Sequence, residues 1–204
     1  MQYTPGPEGV LDFQKKIRTQ IEENINLKKS LLEDTFLNGI ETCVGYCTTA
    51  LKSGGKILFC GNGGSAADSQ HLAAELVVRL RGSFNRPSLP AIALTVNSSV
   101  LTAAGNDFGF NAIFSRQVES IGQPGDVLMA ISTSGNSRNI IEAVKTAREK
   151  EIKTIGFLGG SGGELAGLVD LPLIIPSATT ARIQEAHILI GHIICQLVEE
   201  TLFQ

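Results

Sequence analysis

Residues 56–66 read KILFCGNGGSA, in which a continuous apolar run leads directly into glycines and other small residues. Residues 127–137 read VLMAISTSGNS and repeat the arrangement, with hydroxyl-bearing residues in place of most of the glycines. Each stretch predicts a buried strand that ends in a turn opening a helix, which leaves several backbone N–H groups unpaired. Unpaired N–H groups at a helix start form a receptor for an anion, and their geometry suits a phosphate.

The composition limits the class of protein. The chain has 204 residues, of which 43% are hydrophobic and 18% charged, enough for one sizeable core. A formal net charge of -3 and a pI of about 5.6 provide no basic surface, so no nucleic-acid partner is expected. The four cysteines lack the spacing of a zinc or redox motif, and we expect them to be reduced core residues.

The sequence also bears on location. Its first seven residues, MQYTPGP, lack the charged-then-apolar layout of a secretory signal. We see no apolar stretch that approaches the roughly 20 residues needed to cross a bilayer. The sequence therefore predicts a cytoplasmic protein with no membrane partner.

Two patterns divide the chain. Apolar residues from about 9 to 52 recur at helical spacing, with a break near Asp34, and predict two helices. Short continuous apolar runs follow, which predict five strands at 56–60, 90–95, 126–131, 152–158 and 171–175. Buried strands that alternate with helices indicate a parallel sheet with helices on both faces. We assign residues 1–52 to an N-terminal helical segment and residues 53–204 to the sheet domain, as one compact unit.

The final helix is predicted over about residues 180–203 and is apolar nearly all round. Such a surface must be covered on several sides, and the amphipathic N-terminal helices offer too little cover. We therefore expect the chain to form a homo-oligomer.

The two turns should meet at one cleft, because ligands of open parallel sheets bind beyond the carboxyl ends of the strands. The first turn matches the dinucleotide pattern Gly61-x-Gly63-x-x-Ala66, but residues 94–97 offer no acidic group for a ribose. Neither turn has the lysine of a phosphate-binding P-loop, so no nucleotide cofactor is expected. Two alternatives stay open: a tight turn alone for the glycines, and ordinary helix capping for the hydroxyls.

Candidate chemistry comes from the two helices next to the predicted cleft. His71 and Glu75 lie four residues apart, on one face of the helix that follows the first turn, although a surface ion pair would look the same. Gln184 and His192 can line the same cleft from the final helix, and His187 points away from it into the core. Their spacing alone supports a shared metal ion only weakly.

Several separate motifs together resemble the sugar isomerase (SIS) superfamily, and within it the phosphoheptose isomerase family. They are Cys60 to Ser65 with His71 and Glu75, Ala104 to Phe110, Ile131 to Ser137, and Arg182 to Glu185. The resemblance covers nearly the whole chain. It implies a three-layer αβα sandwich whose five-stranded parallel sheet has a flavodoxin-like strand order, preceded by helices. It also implies a homotetramer with active sites between subunits.

The activity that the resemblance implies is a ketose–aldose isomerisation. Sedoheptulose 7-phosphate would be converted to D-glycero-D-manno-heptose 7-phosphate by proton transfer through an enediolate, as the first step towards nucleotide-activated heptose. The phosphorylated seven-carbon sugar would be the small-molecule partner, and one Zn²⁺ per subunit the cofactor.

Residue roles follow from the same resemblance. The phosphate would be held by Ser132, Thr133, Ser134 and Ser137. The sugar would be contacted by Asn62, Gly63, Gly64, Ser65, Glu75, Asn106, Asp107 and Gln184. The zinc ligands would be His71, Glu75, Gln184 and His192, with Glu75 and His192 as the acid/base pair. Asn106 and Asp107 are expected in a loop after the second strand, where an ordinary turn is the alternative.

One alternative function has the same fold. Some SIS proteins are non-catalytic phosphosugar-binding regulators, including those that bind the bacterial replication initiator. That branch lacks the acid/base pair, whereas this chain has both Glu75 and His192. The chain departs from some relatives at Ala66, Ala67 and Ala181, where they carry bulkier or acidic residues, and this bears on substrate preference and zinc affinity.

Overall fold

A computed structural model describes residues 12–204. The first part of the N-terminal segment, including residues 1–7, lies outside the described residues. The helices are α1 Phe13–Ser30, α2 Asp34–Lys52, α3 Gly64–Val77, α4 Ser98–Phe108, α5 Ser115–Ile121, α6 Arg138–Glu149 and α7 Thr180–Phe203. The strands are β1 Ile57–Gly61, β2 Ala91–Ala93, β3 Val127–Ser132, β4 Lys153–Gly159 and β5 Leu171–Ile175.

The five strands form one parallel sheet in the order β2-β1-β3-β4-β5. Every residue of β1 and β3 is buried, as expected for strands covered on both faces. Phe59 and Met129 pack into one core with α2, α3 and α7, while Leu58 and Leu128 pack into another with α4, α5 and α6. The predicted three-layer αβα sandwich and its flavodoxin-like strand order are confirmed.

The segment after β1 differs from the prediction in two places. β2 was predicted over 90–95 but ends at Ala93, although Leu94 N–H still donates to Phe59 O at 2.9 Å. Asn106 and Asp107 do not lie in a loop, because they form the last turn of α4. Asn97 is the N-cap of that helix, and its side chain accepts a hydrogen bond from Val100 N–H at 3.1 Å.

Helix α7 is a core element with 24 residues. An 18-residue window of it has a mean hydropathy of 1.3, so the expectation that no stretch is long and apolar enough to span a bilayer is wrong by that criterion. Within the described part of the chain it is the one helix of this kind, and core helices of soluble proteins pass the same test. Here Ile183, Ile190 and Val198 are buried against the sheet and α3.

The two N-terminal helices behave differently. α2 buries Cys43, Val44 and Cys47 in the core, where the cysteines are free thiols as predicted. α1 buries no residue and contacts chiefly α7, through Arg182 donating to Gln20 O at 2.8 Å. Its exposed large apolar residues recur every four positions and form a stripe along one face: Phe13, Ile17, Ile21 and Ile25.

Candidate active site

The turn after β1 brings α7 close to its backbone. Gly63 has φ +56, a conformation that favours glycine, and α3 begins at the next residue. A Cβ added at Gly64 would lie 2.1 Å from Gln184 Nε2. The missing side chain therefore lets Gln184 lie against the first turn.

The turn after β3 is organised by its own hydroxyls. Ser132 Oγ and Ser137 Oγ lie 3.0 Å apart, and Gly135 N–H donates to Ser132 Oγ at 3.2 Å. Ser137 is the N-cap of α6, yet its side chain makes no capping hydrogen bond. Its hydroxyl faces the turn rather than closing the helix end, so capping alone does not account for these residues.

The two turns meet as predicted. Asn62 Nδ2 donates to Asn139 Oδ1 at 2.9 Å, and Asn139 Nδ2 donates back to Asn62 Oδ1 at 2.8 Å. Asn139 is buried in the first turn of α6. This reciprocal pair joins the glycine turn to the hydroxyl turn at the carboxyl end of the sheet. Asn139 was not anticipated, because nothing local marks its partner 77 residues away.

Three side chains converge where α3 packs against α7. His71 Nε2 and His192 Nε2 lie 2.8 Å apart, and Glu75 Oε1 lies 3.3 Å from His71 Nε2. One ligand atom from each residue lies within 4.8 Å of the other two. Helical spacing places His71 over Glu75, and the packing of α3 against α7 adds His192.

This cluster fits a zinc ion. Two imidazole nitrogens and one carboxylate form a common catalytic zinc set, whose bonds of about 2.0–2.2 Å place neighbouring ligand atoms roughly 3.3 Å apart. The observed separations of 2.8 and 3.3 Å are close to that value. Among residues 12–204, no other group of three or more His, Cys, Asp or Glu has such an arrangement.

Asp68 lies next to the cluster and was missed from the sequence. It is buried, at 8% exposure, and its Oδ2 has no hydrogen-bond partner within the described residues. Burial raises the pKa of Asp68, while the charge of His71 and a hydrogen bond from Gln184 oppose the rise. Gln184 therefore lies against Gly64 and beside Asp68. The spacing of Asp68 three residues before His71 was the signal available.

Of the remaining residues considered in the sequence, one lies in the first turn and the others lie elsewhere. Ser65 is buried in the first turn of α3. Asn106 and Asp107 are exposed and hydrogen-bond each other at 2.7 Å, and no described contact joins them to the two turns. His187 is a core residue as predicted: its Nε2 lies 3.1 Å from Leu158 O, and burial lowers its pKa to about 4.

A cavity of about 280 Å³ adjoins the hydroxyl turn. Thr133 and Ser134 line one side of it, and the loops before α7 and after β4 line the other. Three further hydroxyls, which the sequence reading did not single out, face this space: Ser161, Ser177 and Thr180. Neutral hydroxyl and amide groups thus surround the place where an anion would be received.

Comparison with known proteins gives consistent results. The profile of the family described as "SIS domain" matches residues 20–159. A phosphoheptose isomerase from Clostridium acetobutylicum is 55% identical over 92% of this chain and 95% of its own length. One from Sulfurimonas denitrificans is 48% identical over 94% and 97%. The structure of a phosphoheptose isomerase from Neisseria gonorrhoeae superposes with a TM-score of 0.85 at 43% identity, covering 92% of this chain and 98% of that one.

Proposed function

Because the chain belongs to the phosphoheptose isomerase family of SIS-domain proteins, we propose that it interconverts sedoheptulose 7-phosphate and D-glycero-D-manno-heptose 7-phosphate. It is an isomerase of the ketose–aldose type. The observation that carries this assignment is the meeting of Glu75 and His192 in one cluster, on helices α3 and α7. A carboxylate and an imidazole that meet, together with a turn suited to a phosphate, form the set that such a reaction needs.

The chemistry requires a carbonyl to move from C2 to C1. A base removes the proton at C1, the enediolate is stabilised, and a proton is returned at C2. Glu75 is proposed as the base, and His192 as the group that exchanges protons with the sugar oxygens. Each positioned acid or base contributes about 10²-fold to 10⁴-fold to the rate.

The phosphate anchors the substrate away from the reacting carbons. Ser132, Thr133, Ser134 and Ser137 offer hydroxyl donors, and the start of α6 adds backbone N–H groups and a favourable dipole. The sugar is proposed to lie along Asn62 to Ser65, with Asn106, Asp107 and Gln184 as further contacts. Binding energy from the phosphate then orients C1 and C2 against Glu75.

A zinc ion is the proposed cofactor, held by His71, Glu75, His192 and Gln184. When bound, it polarises the sugar carbonyl as a Lewis acid. Asp68, behind Gln184 and His71, would hold these two ligands in place by hydrogen bonding and charge.

The proposal extends to assembly. The apolar stripe on α1 remains exposed in one chain, with Phe13 at 69% exposure and Ile21 at 56%. Covering it with another copy of the chain would remove this surface from water, which supports self-association. We propose a homotetramer with sites at the subunit interfaces. A cytoplasmic location is proposed with it.

A non-catalytic phosphosugar-binding protein is the alternative. Glu75 and His192 argue against it, because they meet in a geometry that a regulator does not require.

The decisive experiment incubates the purified protein with sedoheptulose 7-phosphate and follows the aldose product by NMR. Parallel samples contain a chelator, or a chelator followed by added Zn²⁺. We expect turnover that is lost on chelation and restored by zinc. Phosphosugar binding without turnover in the zinc-supplied sample would establish the regulator instead, and turnover that resists complete zinc removal would refute the cofactor.

A further inference from the structure

A buried ion pair lies at the C-terminal end of α3, where this helix packs against α7. Arg86, in the loop between α3 and β2, and Glu199, on α7, both have fully buried side chains. Arg86 Nε donates to Glu199 Oε1 at 2.8 Å, and a second guanidinium nitrogen lies 2.8 Å from the same oxygen. The predicted acid/base chemistry does not use either residue.

Arg86 also closes the end of α3. Its guanidinium donates to Glu75 O at 2.8 Å and to Leu76 O at 2.7 Å, two carbonyls in the last turn of the helix. That turn contains no basic residue of its own. A cation at a helix C-terminus satisfies unpaired carbonyls and interacts favourably with the dipole. Arg86 therefore fixes the backbone of Glu75 itself.

Glu199 connects this cap to the other half of the site. It lies seven residues after His192, which is two turns along the same face of α7. Glu199 Oε1 also accepts from Leu80 N–H at 3.1 Å, so it holds the chain that leaves α3 as well. Its pairing with the cap, and with Arg81 Nε at 3.6 Å from its Oε2, thus connects the helix that carries Glu75 to the helix that carries His192.

Packing already holds the two helices together elsewhere. Gly191 lies so close to α3 that an added Cβ would be 2.7 Å from Leu72 Cδ1. A buried ion pair carries a desolvation cost, and apolar side chains of similar volume often stabilise a fold as well or better. What the apolar side chains cannot supply is directed hydrogen bonds to the carbonyls of Glu75 and Leu76.

We propose that Arg86, paired with Glu199, is a positioning residue that sets Glu75 against His192 and His71 for metal binding and proton transfer. This role rests on the proposed isomerase function. Arg86 acts through the backbone of Glu75 and does not touch the substrate. Its loss should therefore alter kcat and zinc affinity more than the KM for the phosphosugar, because the phosphate turn lies on β3 and α6.

The test uses a double variant that combines Arg86→Met and Glu199→Leu. It is compared with the single variants Arg86→Lys and Glu199→Gln and with the control Asp126→Asn. Asp126 belongs to another buried pair, with Lys56, before β1 and β3 and away from the cleft. Melting temperature, kcat, KM and zinc affinity by chelator competition are measured for each. For the double variant we expect a folded protein, kcat and zinc affinity reduced about 10-fold to 100-fold, and KM within about threefold, as for loss of a group that orients metal ligands.

Arg86→Lys should show an intermediate loss, since lysine can pair with Glu199 but lacks the fork that also reaches two carbonyls. Asp126→Asn should lower the melting temperature. At temperatures where this variant is folded, its kcat and zinc affinity should equal those of the wild type. Wild-type kcat and zinc affinity in the folded double variant would overturn the positioning role. If the double variant does not fold, the same criterion applies to the two single variants.

The zinc measurement separates the two proposals. A wild-type protein that binds zinc but does not isomerise the sugar would refute the function alone. In that case unchanged zinc affinity in the variants would refute the positioning role, and weakened affinity would support it.

Discussion

The amino and carboxyl ends of the sheet carry polar residues of opposite character. At the amino end, Asp126 accepts from Lys56 N–H at 2.9 Å, from Gln123 N–H at 2.8 Å and from Lys56 Nζ at 2.6 Å. At the carboxyl end, hydroxyls of the turn after β3 face open space, and the buried Asp68 retains an oxygen with no described partner. The amino end uses its polar groups to join strands, while the carboxyl end leaves them available to a ligand.

This difference has a physical basis. An unsatisfied buried polar group costs stability, and a bound ligand or metal can provide the missing partner. Substitutions at the two ends should therefore separate function from stability.

The largest effect is expected for Glu75→Gln, in the side-chain cluster between α3 and α7. Removal of the base should lower kcat about 10³-fold, within the range for general-base catalysis. The melting temperature of the zinc-free protein should change little, because the Glu75 side chain is partly exposed and Arg86 holds its backbone. Steady-state kinetics and thermal unfolding check both parts.

Glu142→Gln is the matched control, an exposed carboxylate on α6 paired only with Lys145. It should leave both quantities unchanged. Full activity of Glu75→Gln would remove Glu75 from the role of base.

A smaller effect is expected for Ser134→Ala combined with Ser137→Ala. Loss of two hydroxyls that bind a phosphate should raise KM about 10²-fold, since each hydrogen bond to a charged group contributes about 1.5 kcal/mol at the low end of its range, or about 3 kcal/mol for the two. Initial-rate kinetics over a range of sedoheptulose 7-phosphate concentrations measure the change. Ser120→Ala, on the surface of α5, serves as control. An unchanged KM in the double variant would place the phosphate elsewhere.

The sequence predicted the elements that repeat a local pattern. The continuous apolar runs identified all five strands because the central strands are buried on both faces and the edge strands in part, and they located both turns. Local patterning also placed His71 over Glu75. It misjudged residues 104–108, where glycine, asparagine and aspartate favour a turn in isolation but continue α4 in the fold.

Contacts across the fold could not be predicted in the same way. The pairing of Asn62 with Asn139 and of Arg86 with Glu199 depends on which helix packs beside which, and no local rule encodes it. Asp68 was missed because a lone aspartate in a helix looks like a solvent-exposed residue. In the fold it is buried, with Gln184 beside it.

A stability change without a change in chemistry is expected for Asp126→Asn at the amino end. The buried carboxylate, at 2% exposure, accepts three hydrogen bonds, and its replacement should destabilise the fold by about 2 kcal/mol. Urea unfolding measures the loss, and kcat at 25 °C should match that of the wild type. A fall in kcat would show that the two ends of the sheet are coupled.

The smallest effect concerns acid stability, through Asp170 at the amino end. Partial burial raises its pKa, but hydrogen bonds from Thr154 N–H and Oγ, both at 2.8 Å, and the charge of Lys153 outweigh this and lower it below its ordinary value of 3.8. A carboxylate with a lowered pKa in the folded state adds stability that is present above the unfolded pKa and is lost as pH falls through the folded pKa.

Asp170→Asn should therefore be less stable than the wild type at pH 6 and should lose less stability than the wild type between pH 5 and pH 3. Urea unfolding of zinc-free protein at these pH values tests this, because the metal site then contributes no pH dependence through bound zinc. Asp12→Asn, at the start of α1, controls for the general removal of a carboxylate, since its side chain accepts only from the exposed turn at Lys15. Equal slopes for Asp170→Asn and the wild type would mean that the amino end is held by packing and backbone pairing rather than by its charged hydrogen bonds.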